Sequence, residues 1–171
     1  MATEYYKQML KEGTAYQERI SKLLGFRNYS TMQEQFRVGE NALGMEIKYD
    51  KNIARKGNLY FEVMEKSNAN NPDYIPSGIL RNDNSWLYMV GNDEVAYVFT
   101  KRDMFSIIDG ERLVEAGTKT SLGYLIPIEK AEKWKVFKKN LTYGDIMFDN
   151  KEVTQKIKSR VSQWMQARGM I

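Results

Sequence analysis

The chain has no histidine and no cysteine among its 171 residues. Without histidine, zinc sites of the Cys/His type, Ser–His–Asp and Cys–His catalytic arrangements and histidine-based nucleases are excluded. Without cysteine there is no disulfide scaffold, and a reducing compartment such as the cytoplasm is expected. No apolar run reaches the roughly 18 residues that mark a membrane-spanning helix. The opening "MATEYYKQMLKEG" has no apolar core of a secretory signal. Chemistry at neutral pH is thereby left to carboxylates, lysines, tyrosines, hydroxyls and a metal. Carboxylates without histidine suit hard cations such as magnesium, manganese or calcium.

What is present is an ordinary globular composition, with 42% apolar residues and an uneven charge. From Lys119 onward eleven Lys/Arg stand against five Asp/Glu; since the whole chain is +4, the first 118 residues carry −2. An acidic half joined to a basic half suits a polyanion held near a carboxylate cluster. A solvated helical surface accounts for the same distribution.

Periodicity predicts a helix over 3–24, with Met9, Tyr16, Ile20, Leu23 and Leu24 on one stripe and Gly25 as its stop. A short helix near Ser30 is the next expectation. Strands follow at 45–50 and 59–65, joined by a basic turn, then a polar Asn/Pro loop at 66–78. The runs at 86–90 and 95–100 predict a hairpin of buried strands. Residues 101–117 read as one or two helical pieces, 122–128 as a strand stopped by Pro127, and 129–139 and 151–171 as helices. No domain boundary is visible, so 1–171 is one domain, with 129–171 a basic helical appendage. The fold class is α/β or α+β: a helix, then a central mixed sheet with an antiparallel hairpin, flanked by helices.

Strand side chains alternate faces. In 45–50 the odd positions Met45, Ile47 and Tyr49 belong to the core, and the even positions are Glu46, Lys48 and Asp50. In 59–65 the even positions are Tyr60, Glu62 and Met64. Antiparallel pairing through 51–58 would put Glu46, Asp50 and Glu62 on one face with Lys48 among them. Facing like charges are destabilising unless a cation offsets them. A divalent metal would do so and also activate a water. A merely solvated hairpin face explains the same alternation.

"EIKYDKNIARKGNLYFE", then "PSGILRNDNSWLYMV" and "LGYLIPI", resemble the PD-(D/E)xK nuclease superfamily, in particular its small phage and mobile-element type members. The resemblance covers roughly residues 12–128. It implies a restriction-endonuclease-like core, magnesium or manganese as cofactor, and DNA (or RNA) as partner. Asp50 matches the first acidic position and Glu62 the second, with Glu46 as a third metal-binding carboxylate. The motif lysine falls on Met64, so Lys48 on the neighbouring strand, or Lys66, would supply the ammonium. Gln17 is the helix-motif candidate. Ser77, Gly78, Lys51, Arg55, Lys56 and Lys101 are the expected DNA contacts. Many such nucleases act as homodimers to cut both strands. A catalytically inactive nucleic-acid- or protein-binding module on the same fold is the alternative that Met64 favours.

Overall fold

Helix α1 (Glu4–Leu24) ends in the αL glycine Gly25 and buries Tyr16, Ile20, Leu23 and Leu24. In this computed structural model, residues 4–28, 33–35, 40, 41, 43–135 and 137–140 are described, with single positions 159, 163 and 166. The apolar stripe of α1 packs on one face of a four-stranded sheet, against Met45, Ile47, Leu87, Met89, Ala96 and Val98. That sheet runs in the order β1 (Met45–Tyr49), β4 (Leu87–Gly91), β5 (Val95–Thr100) and β8 (Phe137–Asn140). β1 is parallel to β4; β4–β5 and β5–β8 are antiparallel.

The opposite face of this sheet, through Tyr88, Val90, Tyr97 and Phe99, meets Leu59, Phe61 and Val63 of a second sheet. The second sheet is antiparallel, in the order β3 (Ile75–Pro76), β2 (Asn58–Glu65), β7 (Ser121–Pro127) and β6 (Leu113–Glu115). Phe61 joins the layers edge-on, with ring centroids 5.9 Å from Tyr88 and 5.2 Å from Phe99. Helices α3 (Lys101–Ile107) and α4 (Ile128–Trp134) add Met104, Ile107 and Ala131 to the same core. Each large apolar side chain sealed in this way stabilises the fold by roughly 1.5–3 kcal/mol relative to exposure.

The mixed α+β class, α1, the β4–β5 hairpin and the strand ended by Pro127 agree with the sequence reading. The hairpin of 45–50 with 59–65 does not form. Both strands exist, but they lie in different sheets. The intervening residues make a helical turn, α2 (Ile53–Lys56), closed by Gly57 at φ 65°, with the Gly57 N–H donating to the Ile53 carbonyl. This turn carries the chain from one layer to the next. Burial explains the partners. β4 is buried at every position and β1 at its first three, so each needs a neighbour covered on both faces. β2 and β7 bury mainly alternate residues and pair with each other.

Residues 101–117 are one helix followed by the short strand β6. Within the span read as an appendage, Ala131 is wholly buried and residues 137–140 extend the first sheet as β8. The helix read over 151–171 lies outside the described residues, except Ser159, Gln163 and Gln166, which are helical. The helix read near Ser30 likewise lies outside them apart from residues 33–35. No helix among the described residues is long and apolar enough to cross a membrane.

Candidate functional site

A cavity of about 1180 Å³ opens where the end of β1 approaches β2; its walls include Lys48, Asp50, Lys56, Tyr60, Glu62 and Tyr88. Asp50, Lys48 and Glu62 thus share one space although their strands never pair. Ser67–Asn70 and Val114–Thr118 complete much of its lining.

Glu62 sits at a register shift between β2 and β7, a bulge of the kind that re-aims a side chain. Its Oε1 accepts from Lys48 Nζ at 3.3 Å and from Ser77 Oγ at 2.6 Å. Burial pushes Glu62 up, but the Lys48 ammonium and the two hydrogen bonds more than offset it, holding the carboxyl below its usual value. Burial likewise pulls Lys48 down, and Glu62 with Glu46 overturns that, leaving the ammonium firmly charged.

Behind Lys48 runs a chain of alternating charges. Lys48 Nζ lies 3.1 Å from Glu46 Oε1; Glu46 Oε2 lies 3.6 Å from Lys101 Nζ, which is 3.4 Å from Asp83. The Glu46 and Asp83 side chains are wholly buried. Glu46, expected as a metal ligand, is therefore taken up by two ammonium groups and does not line the cavity. Lys101, expected on DNA, is buried because two carboxylates converge on it.

The other expected residues divide in the same way. Ser77 and Gly78 are buried against Glu62 rather than open to phosphate: a Cβ on Gly78 would stand 2.1 Å from the Glu62 carbonyl oxygen. Lys66 turns to Glu115 at 3.9 Å and lies over the Tyr74 ring at 4.5 Å. Gln17 donates to the Ile47 carbonyl at 3.1 Å and to Glu40, covering the open edge of β1. Lys51, Arg55 and Lys56 are exposed; Lys51 pairs with Glu12 at 3.2 Å, and Lys56 stands at the cavity rim. Tyr88 is buried in the core, as the buried strand expected at 86–90 implies, and also reaches the cavity wall. Tyr60 is the wall residue that the sequence reading passes over, though it shares the even-position pattern with Glu62. The Tyr60 hydroxyl pairs with Ser121 at 3.0 Å, and burial pushes its pKa up to about 12.

Asp50 closes β1. Its N–H donates to Gly91, and its Oδ1 accepts the Asn52 N–H at 2.9 Å, starting the turn into α2. Burial raises its pKa, only partly opposed by the Asn52 amide. Charging Asp50 therefore disfavours the folded state above the ordinary value of 3.8. Asp50→Asn keeps the turn acceptor and removes that penalty. The variant is expected to melt higher than wild type at pH 7, with the gain vanishing as pH falls below 3.8, where both forms are neutral. Thermal melts across pH read this directly.

Among the described residues no group of three or more acidic side chains is spaced to hold a metal ion. Of the three carboxylates that line the cavity, Glu115 accepts from Tyr74 and faces Lys66, and Asp50 and Glu62 are the other two. That pair suits magnesium, which keeps several waters and binds through one or two carboxylates plus substrate phosphates. Comparison with known proteins gives no match to any family model, curated protein or solved structure.

Proposed function

We propose that the chain hydrolyses phosphodiester bonds in nucleic acid, DNA in the first instance, with a magnesium or manganese ion held by Asp50 and Glu62. The observation that carries this reading is that Asp50, Glu62 and Lys48 all line one cavity, with Lys48 3.3 Å from Glu62. Such an ion, when bound, supplies Lewis-acid activation of water and charge neutralisation at the phosphate. Glu62 offers an ionised carboxylate. Asp50 offers the oxygen its turn leaves over. Lys48, in place of the ammonium that Met64 lacks, brings positive charge to the same wall. Lys56 at the rim, with Lys51 and Arg55 beside it, would contact phosphates, each contact adding about 0.9 to the salt slope of duplex binding.

Plasmid nicking with magnesium or manganese against EDTA tests this. Wild type should cut only with metal. Asp50→Asn and Glu62→Gln should each lose about a hundredfold or more in rate, in keeping with several kcal/mol of transition-state stabilisation from the metal. Salt-dependent DNA binding by wild type without any cleavage would favour the inactive binding module instead.

A further inference from the structure

We infer that Ser77 is a positioning residue that selects the cation: it holds one oxygen of Glu62 and leaves one oxygen of that carboxylate for the ion, which suits a small octahedral dication over calcium. The inference rests on the cation reading above. Both side-chain donors to Glu62, Ser77 Oγ at 2.6 Å and Lys48 Nζ at 3.3 Å, take Oε1. Oε2 takes neither donor, and Glu62 lines the cavity. Hydrogen bonds to a charged acceptor are short and strong, and a 2.6 Å O–H···O⁻ contact lies in that class.

The hydroxyl is fixed from three sides. Pro76, just before it, pairs with Met64 on β2. The Ser77 N–H donates to the Val63 carbonyl at 2.9 Å. Gly78, just after it, takes φ 51° and lies against the Glu62 carbonyl, where no side chain fits. Ser77 itself is wholly buried, so its hydroxyl cannot turn to water instead.

A one-oxygen ligand has consequences for ion choice. Calcium takes six to eight oxygens and readily uses both oxygens of one carboxylate, whereas magnesium demands near-ideal octahedral geometry. Manganese joins magnesium among hard, octahedral, oxygen-bound ions. Releasing Oε1 would let Glu62 offer both oxygens and erode the distinction.

Calorimetric titration of the full chain with MnCl2 and with CaCl2 tests this in wild type, Ser77→Ala and Ser77→Cys. Cysteine keeps close to the volume of serine but is only a weak donor. Wild type should bind Mn2+ at least about tenfold tighter than Ca2+. Both variants should lose about tenfold or more in Mn2+ affinity, as is usual when the partner behind a metal ligand is removed, with Ca2+ changing less than about threefold. A residue needed only for packing would move both ions together, or spare Ser77→Cys; either result overturns the inference, as does an unchanged ratio in both variants. Wild type that binds Mn2+ with such an unchanged ratio leaves the cation site standing. Wild type that binds neither ion overturns the cation site and this inference together.

Discussion

Lys48→Met should destabilise the protein by about 3 kcal/mol and abolish metal-dependent cleavage. Lys48 stands between Glu46, whose side chain is wholly buried, and Glu62, which is 17% exposed. Removing one partner from a buried ion pair costs about 3–5 kcal/mol, because the remaining charge is left uncompensated. Lys48 keeps 31% of its side chain open to solvent, which argues for the low end of that range. For a chain of this size such a loss lowers Tm by roughly 10 °C. The effect depends on pH in a defined direction. In wild type the lowered Glu62 pKa contributes stability above the ordinary value of 4.5 and loses it as pH falls through the folded value. In Lys48→Met that contribution is gone, and burial alone acts on Glu62. The gap between the two proteins should therefore be widest near neutrality and shrink below pH 4.5. Urea titrations across pH measure it; a constant gap would mean that Lys48 acts through its stem and not its charge.

Gly78→Ala should be more damaging still. A non-glycine residue in the left-handed region costs roughly 1–2 kcal/mol. Here the added Cβ also meets the Glu62 carbonyl oxygen at 2.1 Å and its carbonyl carbon at 2.8 Å. Neither atom belongs to a flexible side chain, so backbone must move, and forced overpacking adds about 1–3 kcal/mol. The two ranges sum to about 2–5 kcal/mol, and a clash with backbone atoms argues for the upper half. Gly57→Ala is the internal comparison. Gly57 has φ 65° but open space around its missing Cβ, so only the conformational part should appear. Equal losses at the two positions would contradict the close approach described for Gly78.

These positions also show what the sequence reveals and what it hides. Helical and strand periodicity located α1, the β4–β5 hairpin and the strand ending at Pro127, because each is set by local spacing. Partner choice was not legible. β1 and β2 are adjacent in sequence and joined by a turn-like basic segment. Their pairing was decided by whether one or both faces are covered, which depends on α1 and on strands forty residues away. β6 and β8 span only three and four residues, and both follow helices closely, so neither left a clear alternating pattern. At the site, the even-position rule grouped Asp50, Lys48 and Glu62 through a pairing that does not exist. Lys48 and Glu62 touch across two sheets, and Asp50 lines the same cavity. Lys101 opens a helix beside other polar residues and reads as an exposed cation. It is buried because Glu46 and Asp83, distant in sequence, arrive on either side of it. Ser77 and Gly78 read as DNA contacts, but Gly78 lies against the Glu62 backbone and the Ser77 hydroxyl donates to the Glu62 carboxylate.

The most direct test of the shared cation is a crystal of the wild-type protein soaked in manganese, with data collected for anomalous scattering. A peak should appear in the cavity within about 2.0–2.6 Å of one Glu62 oxygen and one Asp50 oxygen. It should be absent from Glu62→Gln crystals soaked in the same way. No peak at saturating manganese, or one that contacts neither Asp50 nor Glu62, would contradict the account.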